Sequence, residues 1–484
     1  MTDLLAPLSK PPLRARLHLL ERLLAEPALL FGLFSLAFGT LLIVLTPPLR
    51  GPDEAAHFLR AYGIAQGEII PLTVDHEGRK GIHLPAYLHE GFAHFEATQA
   101  RERIAFGAPV LKVHPPARVK AENLGRERSP VFVRYEGSEG YAPAAYLPHV
   151  VAAVIARSAH LNFSDTVYLM RFAGLAAMTA ALAYAIKLVP YLNWVFVTIA
   201  MLPAALYGRA VISADAGALA CAMVVIALCL RRAMGGRAPD DRHISLWMAL
   251  CVLTKPPQLA FILLALMPRP SLGLIRRWRS VALIMLPALT ASLLWAVLSS
   301  GDAGAWRLVE LTGRAPHQFE PAWKLGFMVE HPLHFPKAVL ATFPGAGEQW
   351  RQLIGVLGLF DTPLQPWMYP TLSAFLMASF LTPVNIESRL KYRLVAVATL
   401  TVAGYGLAVF LILFLVWTPI DAEQVWGVQG RYFIPALPVF AVAVAALVTR
   451  GATEGTNAVL AISAAFISGL AAAEAVLRAE WQVF

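Results

Sequence analysis

Charge is scarce in this chain of 484 residues: 15% are Asp, Glu, Lys or Arg, against 57% that are hydrophobic. A soluble core of this length cannot bury so much apolar surface, so a water-soluble globular protein is excluded and lipid is the required solvent. Cysteine is scarcer still. Cys221, Cys229 and Cys251 all fall in apolar stretches, and Cys221 and Cys229 lie too far apart along one helical segment to bridge, which argues against a disulfide framework. The short alternating pattern of an outer-membrane barrel is missing too, leaving helices as the structures whose backbone satisfies itself in lipid. No internal repeat shows in the spacing of the apolar runs, which weakens a transporter built from inverted halves. Nor does the excess of 40 Lys and Arg over 31 Asp and Glu point to nucleic acid. Residues 47–142 hold twelve of each sign, and the surplus gathers in short loops, as the positive-inside rule expects.

What is present is a series of membrane spans. Runs 28–46, 280–299 and 394–418 carry no charged residue and approach or exceed the roughly 20 residues needed to cross about 30 Å of hydrocarbon. Lys10, Arg14, Arg16 and Arg22 place the N-terminus in the cytoplasm, and Leu13, Leu17, Leu20 and Leu24 give residues 13–25 the spacing of an interfacial helix. A cleaved signal peptide is the alternative, but Thr46-Pro47-Pro48 offers no small-residue cleavage site. The clusters Arg231/Arg232/Arg237/Arg242, Arg269/Arg276/Arg277/Arg279 and Arg389/Lys391/Arg393 are also cytoplasmic by the same rule.

Those pins set the threading. Residues 143–160, broken by Pro143 and Pro148, do not cross and lie along the outer interface. Between the first two basic clusters the parity demands a short hairpin with Lys255 at its tip, where Pro256-Pro257 interrupts a single span length. The expected fold is an all-α polytopic membrane protein of about eleven transmembrane segments with a large first extracytoplasmic loop domain. Its divisions are a cytoplasmic tail with the interfacial helix (1–27), the first transmembrane helix (28–46), the extracytoplasmic loop domain with its own interfacial helix (47–160), transmembrane helices 2–7 (161–299), a second large extracytoplasmic loop (300–365) and transmembrane helices 8–11 (366–484).

On this threading the costly residues gather at the extracytoplasmic face: Asp53, Glu54 and His57 after the first span, Asp215, Lys255, and Arg431 before the penultimate span. Each also has a structural reading. Asp53 and Glu54 could cap and charge the helix that begins near Ala55. Glu54 and His57 have the i, i+3 spacing of metal ligands, but no second Glu-x-x-His accompanies them. Asp215 could pair with Arg209 across the end of a span, Lys255 could snorkel to the headgroups, and Arg431 could anchor the interface beside Trp426 and Tyr432.

Four motifs then resemble one known family. Pro52-Asp53-Glu54-Ala55-Ala56-His57-Phe58, Thr254-Lys255-Pro256-Pro257, Gly358-Leu359-Phe360-Asp361-Thr362-Pro363 and Gln429-Gly430-Arg431-Tyr432-Phe433 are similar to the bacterial membrane-protein family labelled domain of unknown function number 2142, which is related to GT-C glycosyltransferases. The resemblance runs from Pro52 to Pro438. It implies a GT-C-like bundle in a bacterial inner membrane, transferring a sugar from a polyprenyl-phosphate donor to an acceptor glycan, lipid or protein at the extracytoplasmic face, with inversion and a carboxylate base. Asp53, Glu54 and Asp215 are then the catalytic candidates, and Lys255 and Arg431 the lipid-phosphate clamp. His57, Arg209, His331, Asp361 and Tyr432 are supporting candidates. A divalent ion, Mg or Mn, would sit between Asp53 and Asp215 if one is used. Aromatic residues of the large loop, Tyr62, Tyr87, Phe92, Tyr135 and Tyr141, either pack that domain or face an acceptor. The alternatives are a transporter or flippase of lipid-linked glycan, a glycan polymerase or ligase with a diphosphate-linked donor, and an assembly subunit that docks partners through its loop.

Overall fold

Helix α1 (Pro27–Leu45) carries no charged residue and ends where Pro47 and Pro48 cannot continue it. The computed structural model describes residues 26–104, 129–135, 137–234, 240–268, 273–299, 308–309, 312–384 and 387–481; the segment 13–25 lies outside them. After α1 the chain enters a small mixed domain: α2 (Glu54–Ala65), β1 (Gly81–Leu84), α3 (Ala86–Ile104) and β2 (Val131–Arg134). The strands pair antiparallel, Gly81 opposite Arg134 and Leu84 opposite Val131. Phe58, Tyr62, Phe92 and Tyr135 are buried in its core together with Phe163, whose ring meets Phe58 edge-on at 5.1 Å. Arg60 is fully buried and donates to the carbonyls of Tyr141, Glu68 and Ile69, which ties the two ends of the domain together.

A 3-10 turn (Pro143–Ala145) and α4 (Leu147–Ser158) follow. With 12 residues, α4 is roughly 18 Å long, too short to cross about 30 Å of hydrocarbon. It buries Ala152, Ala153 and Ala156 and exposes Val151, Val154 and Ile155.

The membrane bundle resumes with α5 (Phe163–Leu188), which packs against α1. The span read as 194–212 is two short helices, α6 (Asn193–Ala200) and α7 (Pro203–Ala210), because Pro203 has no N–H to continue the ladder. Arg209 repairs the break, donating from Nη1 to the carbonyls of Ala200 and Ala205 at 2.7 and 3.1 Å. Helix α8 (Ala214–Met234) is largely enclosed by its neighbours. Helix α9 (Asp241–Thr254) ends at Lys255, and residues Pro256–Leu266 return as a 3-10 helix. At three residues per turn that helix presents Gln258, Phe261 and Leu264 on one face, and all three are buried. Helix α10 (Leu274–Leu298) follows.

Three short helices, α11 (Pro321–Glu330), α12 (His334–Thr342) and α13 (Ala346–Gly355), lead to a two-residue ribbon, β3 (Val356–Leu357) with β4 (Thr362–Pro363). Helices α14 (Met368–Phe380) and α15 (Ser388–Val416), a 3-10 segment (Gly430–Ala436) running into α16 (Leu437–Leu447), and α17 (Glu454–Glu480) close the bundle. Among the described residues, seven segments are long and apolar enough to cross a membrane: α1, α5, α8, α10, most of α15, the 3-10 segment with α16, and α17. The remaining expected crossings are shorter elements, namely the α6–α7 pair, the two arms meeting at Lys255, and α14.

Candidate functional site

The loop Gly51–Asp53 between α1 and α2 is shaped by a buried ion pair. Glu54 sits at the start of α2 with a fully buried carboxylate. Oε1 accepts from Arg171 Nε and the Ile212 amide at 2.8 and 2.9 Å; Oε2 accepts from Arg171 Nη2 and the Gly51 amide at 2.7 and 2.9 Å. Four donors saturate the two oxygens. Arg171, buried within α5, also donates to the carbonyls of Thr46 and Pro47. One ion pair thus joins α5 to the loop carrying Asp53 and to the segment three residues before Asp215.

Asp53 precedes α2 in the left-handed conformation, φ 54°, a region that Asp tolerates better than most residues. It makes no side-chain cap for α2. Its carboxylate instead accepts from Arg431 Nη2 at 2.7 Å, so the capping reading of Asp53 does not hold.

Arg431 is aimed by its own motif. A Cβ at Gly430 would lie 1.7 Å from the Gln349 carbonyl oxygen, so only glycine lets this segment press against α13. The guanidinium is engaged on all three nitrogens: Nη2 with Asp53, Nη1 with Asp215 at 3.3 Å, and Nε with Gln429 at 2.8 Å. Phe360 covers it, the ring centroid 4.9 Å away. That contact explains the Gly358–Pro363 motif. Gly358 and Phe360 both have positive φ in the β3–β4 turn, a Cβ at Gly358 would lie 2.3 Å from Asp361 Oδ1, and Asp361 accepts from the Leu359 amide and pairs with Arg50 at 3.0 Å. Asp361 therefore shapes the turn that presents Phe360.

Lys255 ends α9 and meets Asp215 in a direct ion pair. Its ammonium lies 4.8 Å from the Tyr432 ring centroid and 5.6 Å from that of Tyr141, so two aromatic faces flank the cation. Tyr432 also stacks under Arg431, at 5.3 Å. Asp53, Asp215, Lys255 and Arg431 form one alternating cluster, with side chains 46%, 20%, 10% and 10% exposed. They open on a cavity of about 210 Å³. An apolar part of its lining comes from α15, where Val409, Ile412, Leu413 and Val416 recur at helical spacing, and from Pro256 and Pro257.

His57, one turn into α2, lines the same cavity, and its Nδ1 lies 2.6 Å from the Tyr146 hydroxyl. Burial lowers its pKa from 6.5 to about 4, so the ring is neutral near pH 7. Glu54 and His57 hydrogen-bond to different partners, Arg171 and Tyr146. Asp53 and Asp215 both direct oxygens at Arg431, so a divalent ion between them would have to displace the guanidinium. Among the described residues no set of three or more His, Cys, Asp or Glu side chains gathers as metal ligands.

Not every expected residue belongs to the cavity. Arg209 does not pair with Asp215; it caps the α6–α7 break and contacts Ser35. His331 is exposed after α11 and packs on Phe327 at 4.5 Å. Tyr62, Phe92 and Tyr135 pack the loop domain, whereas Tyr141 faces the cavity. Tyr405, Ser138 and Trp417, which the sequence does not single out, also line it, as does Gln429 from the Arg431 motif. A signal existed for Tyr405, a lone hydroxyl-bearing ring in an apolar run. It existed for Arg171 too, a charge placed well inside a span.

Apolar helices enclosing an ion-paired cavity at one end of the bundle define a multi-pass helical membrane protein with a polar site built from its interhelical loops. The chain belongs to the family described as Predicted membrane protein (DUF2142), which matches residues 36–440. No curated protein and no solved structure matches it.

Proposed function

We propose that this protein is a membrane glycosyltransferase that moves a sugar from a polyprenyl-phosphate donor to a hydroxyl of an acceptor glycan, lipid or protein at the extracytoplasmic face of a bacterial inner membrane. The observation that carries the reading is the convergence of two carboxylates and two aromatic-flanked cations on a cavity with one apolar wall. A lipid phosphate needs both halves of that arrangement, cations for its head and an apolar surface for its chain. The volume, about 210 Å³, lies below the roughly 300–1,000 Å³ of a drug-sized pocket and suits one sugar ring better than an oligosaccharide.

In the proposed reaction Asp53, the more exposed carboxylate, takes the proton of the attacking hydroxyl. The acceptor oxygen bonds to the anomeric carbon from the side opposite the phosphate, the carbon–oxygen bond to phosphate breaks, and its electron pair stays on the departing phosphate. Inversion follows. As Asp53 becomes neutral its hold on Arg431 weakens, while the leaving phosphate gains negative charge, so the guanidinium shifts to where charge develops. Asp215 keeps Lys255 and Arg431 oriented. Glu54, saturated and closed off from the cavity, is a positioning residue. Lys255 and Arg431 fill the role a divalent ion would otherwise serve, and transfer is expected to persist in a chelator.

The test is transfer by purified protein in liposomes supplied with polyprenyl-phosphate sugars and an envelope-derived acceptor pool. The expected result is covalent transfer with release of polyprenyl phosphate. Lys255→Met and Arg431→Gln should each weaken polyprenyl-phosphate binding by about one to two decades, more at low salt, since a charge-assisted hydrogen bond contributes roughly 1.5–3 kcal/mol. Movement of intact donor across the bilayer without covalent change would replace this reading with a flippase.

A further inference from the structure

His57 lines the cavity, and the proposed reaction leaves it without a role. It is 4% exposed, it sits one turn after Asp53, and Asp53, Asp215, Lys255 and Arg431 all act on it electrostatically. Its contact with Tyr146 settles which nitrogen carries the proton. The Tyr146 hydroxyl is buried, and among the described residues its hydrogen bond is the one to His57 Nδ1. Were Nδ1 to donate, the phenolic proton would be buried with no acceptor, at a cost that protein interiors rarely bear. Tyr146 therefore donates to Nδ1, and the imidazole proton resides on Nε2, the ring nitrogen left for the cavity.

We infer that His57 is a neutral hydrogen-bond donor for the phosphate of the lipid donor, a third ligand beside Lys255 and Arg431. The assignment rests on the transferase reading above. Two cations already face two carboxylates here, so a neutral N–H at a fixed angle adds a directed hydrogen bond without adding charge. Burial and the two neighbouring cations keep the ring neutral against the pull of Asp53 and Asp215. The Tyr146 hydrogen bond keeps it from rotating.

The experiment is binding of polyprenyl phosphate to the full-length protein in lipid nanodiscs, comparing His57→Gln with His57→Asn. A glutamine amide reaches the place of Nε2; an asparagine amide stops near Nδ1. His57→Asn is expected to lose about 3- to 10-fold in affinity and His57→Gln to recover most of it. The salt dependence should match wild type, because no charge is removed, whereas Lys255→Met should flatten it. Equal losses in the two variants, or a changed salt dependence, would overturn the assignment. A wild-type measurement guards against misfolded variants. With 15N-labelled histidine, one imidazole of the 13 should respond at Nε2 to polyprenyl phosphate while staying neutral from about pH 5 to 7. A responding ring that titrates in that interval, or no response, contradicts the inference. Inorganic phosphate should not displace the lipid; equal displacement would make free phosphate the ligand. If wild-type protein binds no polyprenyl phosphate, the transferase reading itself fails; if it binds and the two variants bind alike, only the role of His57 falls.

Discussion

Asp53 and Glu54 are adjacent and chemically alike, yet one meets a cavity and the other an arginine. The left-handed backbone at Asp53 turns its side chain toward Arg431, while Glu54, already helical, faces inward to Arg171. The sequence marks both as costly acids near a span but carries no signal for that backbone twist, so the choice between them is not legible there. Lys255, Asp215 and Arg431 were legible because charge is rare in so apolar a chain. Removing Arg171 should be severe: Arg171→Met leaves the buried Glu54 carboxyl group short of two donors, a loss of about 3–5 kcal/mol that thermal unfolding in detergent would register. His57 gives a pH signature. Its folded pKa, about 4, is below its ordinary 6.5, because burial and the cations Lys255 and Arg431 outweigh Asp53 and Asp215. The unfolded chain takes up this proton first, so the contribution to stability is complete above pH 6.5 and declines toward pH 4, by up to about 1.4 kcal/mol per pH unit. The unfolding midpoint of His57→Gln should fall less between pH 7 and 5 than that of wild type; equal falls would remove the imidazole from the acid sensitivity.

Broken helices carry the site. Lys255 reaches the cavity because α9 stops at Thr254 and the prolines turn the chain back as a 3-10 helix; an unbroken helix would have placed Lys255 on a lateral face. Lys255-Pro256-Pro257 announces that break in the sequence. The 3-10 winding of Pro256–Leu266 does not, because its apolar run fits an α-helix equally well by composition. The long spans were legible from hydropathy alone, and Pro203 marks the α6–α7 break in the sequence, whereas the carbonyls that Arg209 satisfies there, those of Ala200 and Ala205, were not legible. Helix α11 is docked by a device invisible to pattern reading. Lys324 is fully buried and its ammonium donates to the carbonyls of Phe414, Leu415 and Thr418, at and just beyond the C-terminal end of α15. Lys324→Met leaves that end unsatisfied and should cost on the order of 1–3 kcal/mol, seen as earlier thermal unfolding and faster proteolysis near α11. Unchanged unfolding would show that water replaces the ammonium without loss.

At the scale of the whole molecule, the basic residue Arg232 and the cavity lie at opposite ends of α9 and the 3-10 helix that follows it. Arg232 pairs with Asp241 and contacts the Ala265 carbonyl, at the far ends of the elements whose other ends meet at Lys255. We read the basic end as cytoplasmic and the cavity as extracytoplasmic. Gly140→Cys should then react with an impermeant thiol reagent on spheroplasts, and Arg242→Cys only after permeabilisation; the reverse pattern would invert the threading. The central claim is that this cavity transfers a sugar with Asp53 as base, and paired amide substitutions test it most directly. Asp53→Asn keeps an acceptor for Arg431 but cannot take a proton, so turnover should fall by about two to four decades while unfolding and polyprenyl-phosphate binding stay near wild type. Glu54→Gln should instead lower the unfolding midpoint, with any lost turnover following the lost fold. If Asp53→Asn transfers sugar at the wild-type rate while Glu54→Gln remains folded and inactive, the base has been misassigned; if both remain folded and active, carboxylate-catalysed transfer at this site is contradicted.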